Sequence, residues 1–328
     1  MEFLGASDVS QRGIQCVFTC MGAQPQASKS FVPTANRHYL GASVHVGDFN
    51  SMGLIRFQPK TSTVHKVCSK ISVARETGSL DRDAAGKLRG DITWMFSLCA
   101  RQVGKIASPL LAEKQQGSDP ALSEAHQHTL ALLQFATQHA EPRDIMLRAD
   151  LQEPVIIYSD ASFEHGELKL GWVIFDGSLQ PVGGTCDVPE LVLQAWVPRD
   201  QQIFPGEALC GLIVPWVHHS LLSNRDVIWY VDNESAVASL IRGSSHQPDV
   251  HAICQFSQVL LHTLGVRVWW EWINSESNPS DGLSRDGLSD PWSANQGWSL
   301  AEYSFPDQLL PHSFLSSFQS FIISGNSG

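Results

Sequence analysis

The stretch VIWYVDNESA, residues 227–236, decides how the second half of this chain folds. Its first five residues are wholly apolar, as in a strand that is buried on both faces of a sheet. The acid Asp232 follows at once, and a helix is predicted from Glu234 to Arg242 because Gly243 then acts as a stop. A buried strand that passes directly into a helix is typical of an α/β layout.

The segments on either side of this stretch extend the pattern. A helix that begins at Glu207 comes before it, a helix from Asp249 to Thr263 follows it, and VRVWWEWI (266–273) is a final strand. Three earlier segments are strand candidates, namely VIIYSD (155–160), LKLGWVIFDG (168–177) and VGGTCDVPELVLQAWVP (182–198). This order predicts an α/β fold with a mixed five-stranded sheet flanked by helices.

The first half of the chain is predicted to be mainly helical. Two short β-like pieces follow His38, and helices are then expected over residues 62–76, from Ser79 onward and over residues 123–139. We place a domain boundary near Leu151. The chain is therefore divided into residues 1–37, unassigned and expected to be poorly ordered, a segment over 38–150, an α/β domain over 151–287, and a tail rich in Ser, Pro and Trp over 288–328.

Charge is distributed unevenly between the two halves. The net charge is −11, but residues 1–150 hold 16 Lys and Arg against 13 Asp and Glu, whereas residues 151–328 hold 6 against 20. Phosphate backbones are bound mainly by Lys and Arg. Residues 56–105 hold ten basic residues against four acidic ones, so this stretch is the expected contact with a nucleic-acid backbone, and Lys87, Arg89, Arg101 and Lys105 are its candidate residues.

Cysteine usage and hydropathy bear on the cellular setting. Seven cysteines are scattered without the close pairing of a disulfide-stapled domain, which favours a reducing, intracellular location. No stretch approaches 18 uncharged apolar residues, so no membrane association is expected. The sequence does not distinguish nucleus from cytoplasm, and it gives no oligomeric state.

Four carboxylates stand where predicted elements begin or end. Asp160 closes the first strand, Glu207 opens a helix, Asp232 closes the apolar strand and Asp281 follows the last strand. Such positions converge at one edge of a mixed sheet, where unpaired carboxylates repel one another unless cations lie among them. Oxygen ligands with this charge call for Mg²⁺, with Mn²⁺ as a substitute. Two such ions roughly 4 Å apart can activate a water and stabilise the leaving oxygen of a phosphodiester.

The segments around these acids resemble a known family. YSDAS (158–162), PGEAL (205–209), YVDNESA (230–236) and NPSDGLSR (278–285) resemble, in order, the acidic motifs of the ribonuclease H domain of retrotransposon reverse transcriptases. The resemblance implies a ribonuclease H-like fold and a magnesium-dependent endonuclease that cuts the RNA strand of RNA–DNA hybrids. It implies that Asp160 bridges two metals, that Glu207 and Asp232 hold one with it, and that Asp281 helps to hold the other. Within these motifs, Ser162, Asn233, Asn278 and Arg285 are further candidates for nucleic-acid binding.

A second resemblance covers part of the first half. YLGASV (39–44) and residues 84–111 look like the thumb and connection that follow a reverse transcriptase palm. The palm itself is absent, since no Tyr-x-Asp-Asp box occurs, so no polymerase activity is expected from this chain. The resemblance implies a fragment of a retroelement polyprotein, with a palm supplied by another chain as a possible partner.

Other functions are weighed against this one. A proofreading-type exonuclease of related fold needs a second acid two residues after the first Asp, where this chain has Ser162. A transposase-type or integrase-type nuclease uses the order Asp, Asp, Glu, which the matching elements do not show. A catalytically silent retroelement remnant, or an interaction module of the same fold for nucleic acid or protein, stays open as the alternative.

Overall fold

The computed structural model describes residues 36–39, 42–46, 54–98, 101–140, 142–146, 153–178 and 180–310. This part of the chain contains a four-stranded sheet, built before residue 147, and a six-stranded sheet, built after residue 154. The predicted α/β class, with a mixed sheet flanked by helices, is confirmed. The predictions for residues 1–35 and 311–328 lie outside the described residues.

The first unit combines the small sheet with four helices. Its strands are antiparallel neighbours in chain order, β1 (Asn36–Tyr39), β2 (Ala42–His45), β3 (Leu54–Pro59) and β4 (Arg143–Met146). Its helices are α1 (Thr61–Thr77), α2 (Arg82–Leu98), α3 (Ser108–Gln116) and α4 (Glu124–Gln138). A 3₁₀ helix over Arg101–Ala107 joins α2 to α3. The mainly helical character predicted for this segment is therefore found, together with a strand, β4, that was not predicted.

The helix limits of this unit follow local capping chemistry. Gly78 ends α1 in the left-handed conformation, with φ of 62°, as its position in the sequence predicts. The second helix was predicted to begin at Ser79, but it begins at Arg82. Ser79 pairs with Ala121 in an isolated β-bridge, and the Asp81 side chain accepts a hydrogen bond of 2.8 Å from the Ala84 amide. Asp81 therefore satisfies the first turn of α2 as a helix cap.

The second unit is built on the six-stranded sheet. Its strands are β5 (Val155–Glu164), β6 (Glu167–Phe175), β7 (Val182–Val188), β8 (Asp226–Val231), β9 (Arg267–Trp272) and β10 (Ser299–Glu302). They lie in the order β10, β7, β6, β5, β8, β9. The pairs β5 with β6 and β6 with β7 are antiparallel, whereas β5 with β8, β8 with β9 and β7 with β10 are parallel.

The strand β10 adds a sixth strand to the five that were predicted. It lies in the segment interpreted as a tail and pairs in register with β7 from Ser299 opposite Val182 to Glu302 opposite Thr185. The Tyr303 amide then donates to the Thr185 carbonyl at 2.8 Å. Four residues of mixed polarity, SLAE, give no alternation from which a strand could be predicted, so the neighbouring edge of β7 decides the structure here.

Helices of this unit pack on the sheet at two glycines. The helices are α5 (Glu190–Gln194), α6 (Ile203–Val217), α7 (His219–Leu222), α8 (Glu234–Arg242), α9 (Pro248–Thr263), α10 (Asp281–Arg285) and α11 (Pro291–Ala294). A Cβ at Gly206 of α6 would lie 2.9 Å from the Ala161 Cβ, and a Cβ at Gly171 of β6 would lie 2.3 Å from the Ser284 amide of α10. Ala161 and Asp160, which pairs with Gly171, point to opposite faces of the sheet. Hence α6 and α10 cover opposite faces, one on either side of Asp160.

The two units share a buried contact. Gln255 of α9 is buried, and its side-chain amide donates to the Ile106 carbonyl at 2.7 Å and to the Thr129 hydroxyl at 3.2 Å. Most buried apolar residues of the two units belong to one continuous cluster. The division into domains near Leu151 stays a prediction. Among the described residues, no helix has both the length and the apolarity that crossing a membrane requires.

Candidate metal centre

Three carboxylates meet where β5, β8 and α6 come together. Asp160, Glu207 and Asp232 each offer an oxygen atom, and these three oxygens all lie within 4.8 Å of one another. Asp160 and Glu207 are buried, whereas Asp232 is partly exposed. Three of the four acids singled out from the sequence therefore form one group.

Parallel pairing brings Asp160 and Asp232 to the same level. Ser159 of β5 lies opposite Val231 of β8, and the next residue on each strand is the acid. Asp160 was predicted to close its strand, but β5 continues to Glu164 as the partner of β6. Asp160 thus marks the point where β5 loses its parallel neighbour and keeps its antiparallel one, which opens a gap beside its side chain.

Glu207 reaches this gap from α6. The helix was predicted to begin at Glu207, but it begins four residues earlier at Ile203, with Pro205 in its first turn, where the missing amide costs no hydrogen bond. Glu207 is 1% exposed, and its Oε1 accepts a hydrogen bond of 3.1 Å from the Ala161 amide. Gly206 allows α6 to approach β5 closely enough for this contact.

The electrostatics of the group show the cost of placing these acids together. Burial raises the pKa of Asp160 to about 6, a hydrogen bond from Ser284 opposes the rise, and the charges of Asp232 and Asp281 add to it. Burial also raises the pKa of Glu207 well above its usual range, and the charges of Asp160 and Asp232 raise it further. Both carboxylates are therefore held where their charged forms are disfavoured unless a cation is present.

One oxygen of the group has no hydrogen-bond partner. Glu207 Oε2 is buried and accepts no hydrogen bond from a Lys, Arg, hydroxyl or amide of the described residues; the polar side chain that it interacts with is another acid, Asp232, and this interaction raises the pKa of Glu207. A buried charged oxygen without a partner is costly, and the great majority of buried polar atoms are paired. The oxygen-only donor set fits a hard cation such as Mg²⁺, and the unpartnered atom of Glu207 gives that cation a ligand. The residues present therefore fit the predicted metal.

Asp281 stands beside the group rather than in it. It is the first residue of α10, and its Oδ1 accepts hydrogen bonds of 3.0 and 2.9 Å from Nε and an Nη of Arg285. Its charge still acts on Asp160, whose pKa it raises. The structure thus gives the fourth acid a cationic partner of its own within the same short helix.

The NPSDGLSR segment holds Asp160 in place. The Asn278 side-chain amide donates to the Ser159 carbonyl at 3.0 Å, and the Ser280 hydroxyl donates to Asn278 Oδ1 at 2.7 Å. The Ser284 hydroxyl donates to Asp160 Oδ2, and the Ser162 hydroxyl donates to the Ser284 carbonyl at 2.6 Å. Ser162 and Asn278, predicted to contact nucleic acid, are engaged in this network, and Asn278 is buried.

The other candidates for nucleic-acid binding are divided between the two units. Asn233 caps α8, since its Oδ1 accepts from the Ala236 amide at 3.1 Å, and Arg285 is paired with Asp281. In the first unit Lys87 and Lys105 are exposed, and Arg89, also exposed, donates to the Gln115 side chain at 3.0 Å. Arg101 begins the 3₁₀ helix, and its side chain lies outside the described part.

A residue that was not predicted lies next to the group. The Trp272 indole, at the end of β9, donates its Nε1 hydrogen to the Asp232 carbonyl oxygen at 3.0 Å. Trp272 lies opposite Val231 in the β8–β9 register, so it is the neighbour of the residue that precedes Asp232. The strand VRVWWEWI could have indicated it only if the order of β8 and β9 in the sheet were known.

Comparisons with known proteins give a likeness of structure and none of sequence family. No protein-family model and no curated protein matches the chain. Among solved structures, the chain is similar to the N-terminal ribonuclease H domain of Rv2228c from Mycobacterium tuberculosis, solved as a fusion with maltose binding protein. The identity is 17% and the TM-score 0.30, over 43% of this chain and 96% of that one. The fold class described above rests on the strand order and pairing of this chain itself.

Proposed function

We propose that this protein is a magnesium-dependent nuclease that hydrolyses the RNA strand of RNA–DNA hybrids, with Asp160, Glu207 and Asp232 as its metal ligands. The observation that carries the proposal is the buried, unpartnered Oε2 of Glu207 within a group of three carboxylates. An ionised acid in this position destabilises the fold unless a cation completes it. The choice of a hybrid as substrate comes from the resemblance of the four acidic motifs.

The residues of the site have two proposed roles, binding the metal and positioning its ligands. Asp160, Glu207 and Asp232 would hold the metal, and Ser284 and Asn278 fix Asp160 and the strand that carries it. Held by these residues, a magnesium ion would supply positive charge beside a phosphodiester and would lower the pKa of an attacking water. The buried face of the group excludes solvent from Glu207, while Asp232 stays partly open to substrate.

The resemblance also implies a second ion, held by Asp160 and Asp281. Arg285 lies beside that position and donates from two nitrogens to one oxygen, Asp281 Oδ1. The other carboxylate oxygen of Asp281 would be the ligand for a second ion while Arg285 stays bound to Oδ1. Mn²⁺ is expected to replace Mg²⁺, since both take oxygen ligands.

The wider setting is part of the same proposal. The motifs are similar to those of retrotransposon reverse transcriptases, so we infer a retroelement origin and a polymerase palm supplied by another chain. An intracellular location is supported by the free thiols of Cys68, Cys186, Cys210 and Cys254. Hybrid binding would draw on the exposed Lys87, Arg89 and Lys105 of the first unit.

The test is cleavage of an RNA–DNA hybrid labelled on its RNA strand, in Mg²⁺, Mn²⁺ and EDTA. Double-stranded DNA of the same sequence is the control substrate, and Asp232→Asn is the inactive variant. Metal-dependent cutting of the RNA strand that is lost in Asp232→Asn supports the proposal. A wild type that cuts neither strand in either metal overturns it and favours the silent remnant or interaction module.

A further inference from the structure

Trp272 is an aromatic side chain fixed at the rim of the carboxylate group. Its indole Nε1 donates to the Asp232 carbonyl at 3.0 Å, and its backbone lies opposite Val231. The hydrogen bond restricts the ring to a position beside the acid that is most open to solvent. The position of the indole is therefore fixed by the backbone around Asp232.

The ring is nevertheless largely exposed. Trp272 has 46% of its surface exposed, while its neighbour Trp270 is buried against Trp229 with ring centroids 4.8 Å apart. Large aromatic side chains contribute most when they are buried, and a tryptophan that is hydrogen-bonded yet open to solvent is a common feature of binding surfaces. This indole face is not buried in the core, so the face is available to a ligand.

A second exposed tryptophan on the same strand provides a contrast. Trp269 is 67% exposed, but its indole donates to Glu271 at 3.1 Å and has no bond to the carboxylate group. Trp269 and Trp272 are three residues apart on β9, so they point to opposite faces of the sheet. Trp269 is thus a matched control for the effect of removing an exposed indole from this edge.

The chemistry around Trp272 selects the part of a substrate that it meets. The indole carries no charge that would attract a phosphate, and the residues that Trp272 contacts are acids, Asp232 through its carbonyl and Glu271 through a hydrogen bond of 3.3 Å from the Trp272 amide. An indole face instead offers stacking to an uncharged ring, and such stacking tolerates any base. A nucleotide ring next to the phosphate held at the carboxylate group is the ligand that suits this position.

We propose that Trp272 is a substrate-binding residue that packs its exposed indole face against a nucleotide ring of the strand held at Asp232. This inference rests on the proposed nuclease function and adds a residue to its substrate contacts. A base–aromatic contact is worth about 1–3 kcal/mol, which corresponds to roughly 5- to 150-fold in affinity.

The test measures binding and cleavage separately, with the full chain. Binding of a fluorescein-labelled RNA–DNA hybrid is followed by anisotropy in Ca²⁺, a hard cation that takes the same oxygen ligands, with cleavage checked on the same samples, and KM and kcat are measured in Mg²⁺. The variants are Trp272→Ala, Trp272→Phe and Trp269→Ala. Trp272→Ala is expected to raise Kd and KM at least fivefold, in line with one lost stacking contact. Trp272→Phe keeps a ring and should lie near the wild type, and Trp269→Ala should not differ from it.

The outcomes separate this inference from the proposed function. An unchanged Kd in Trp272→Ala, or a Trp272→Phe variant as impaired as Trp272→Ala, overturns the stacking role; the second result assigns the effect to the hydrogen bond with Asp232. A fall in kcat at unchanged Kd overturns it as well. If the wild type binds the hybrid through Trp272 but cuts nothing, the nuclease proposal fails and the stacking role stands.

Discussion

The two units of this molecule treat their carboxylates in opposite ways. In the first unit Asp91 of α2 accepts hydrogen bonds from Lys66 at 3.0 Å and Lys70 at 2.5 Å, both on α1. Burial raises the pKa of Asp91, but the two lysines outweigh it and the net shift is downward. In the second unit burial raises the pKa of Asp160 and Glu207, and no described Lys or Arg is paired with either acid or with Asp232.

This difference separates the carboxylates that the chain pairs with its own lysines and arginines from those that it leaves without a cation. A carboxylate with its own cations stabilises the protein alone, whereas a buried group of three without any stays fully ionised only when a cation is supplied. The chain has lysines and arginines to use, and it places them at Asp91 and Asp281 rather than in the cluster. We interpret the missing partner as the place of a metal ion.

The largest effect is expected on activity. Glu207→Gln keeps the shape of the side chain and removes the charge of the unpartnered oxygen, so hybrid cleavage in Mg²⁺ should fall by roughly 1000-fold or more. Asp91→Asn, which removes a carboxylate of the paired kind, should leave the rate unchanged. Initial rates on the labelled hybrid measure both. Equal losses of cleavage rate in the two variants would contradict the distinction between the paired carboxylate of the first unit and the unpaired group of the second.

The next effect concerns a buried ion pair in the second unit. Arg199 binds Asp249 through both nitrogens at 2.7 Å, and the two side chains are only 16% and 5% exposed. Arg199→Met leaves Asp249 buried without its partner and should lower the free energy of unfolding by about 3 kcal/mol. The control is Arg56→Met, whose pair with Asp144 is 45% and 37% exposed and should cost less than about 1 kcal/mol. Urea unfolding measures the free energy of unfolding of both variants. Similar losses in the two would contradict the larger role of the buried ion pair.

A further prediction concerns a buried histidine of the second unit, His218. Burial lowers the pKa of His218 to about 4, and the charge of His219 adds to the shift. Neutral His218 Nε2 accepts a hydrogen bond of 3.0 Å from the Trp172 indole, which a protonated ring cannot do. The ordinary pKa of a histidine is about 6.5, so the unfolded chain binds this proton first and stability is lost as the pH falls from about 6.5 towards 4.

The loss attributable to His218 between about pH 7 and pH 5 is about 2 kcal/mol. His218→Gln keeps an acceptor for Trp172 and removes the titration, so its unfolding free energy should fall less over that range. Urea unfolding of both proteins at the two pH values measures the difference. A variant with the same pH dependence as the wild type would show that His218 is not the group responsible.

Much of the sheet could be predicted from the sequence because its central strands are strongly apolar. VIIYSD and VIWYV have few polar residues; the first ends at Asp160 and the second is followed by Asp232, so the two acids could be placed at one edge before the register was known. The start of α6 was harder to place, because Pro205 and Gly206 resemble a loop when read alone. Close packing of Gly206 on Ala161 decides the matter, and that contact is a property of the assembled fold.

The parts that could not be predicted depend on neighbours distant in sequence. The strands β4 and β10 have four residues each and no alternation, and they form because β3 and β7 offer free edges. The partner of Asp281 is different, since Arg285 lies four residues later on the same helix and the spacing could have indicated the pair. The exposure of Trp272 follows from the edge position of β9, which the strand pattern does not reveal.

The smallest expected effect is a difference in sign between the stability changes of two variants. In EDTA, Asp232→Asn removes a charge that disfavours ionised Asp160 and Glu207, so it should raise the free energy of unfolding by about 1 kcal/mol. Asp91→Asn should lower it, by about 0.5 kcal/mol, because its two lysine pairs are partly exposed to solvent. Thermal melts in EDTA compare the variants. Destabilisation by both would mean that the cluster is stable without a cation.

The most direct measurement of the central claim is the melting temperature of the wild type as Mg²⁺ is raised from zero to millimolar concentrations, with K⁺ at matched ionic strength as the control. A cation that binds only the folded protein stabilises it by mass action, by about 2.7 kcal/mol at a concentration of 100 times Kd. We predict a rise in the wild type that is absent from Glu207→Gln and retained by Asp91→Asn. A wild-type melting temperature that does not respond to Mg²⁺, or responds equally in Glu207→Gln, would contradict a metal centre at these three carboxylates.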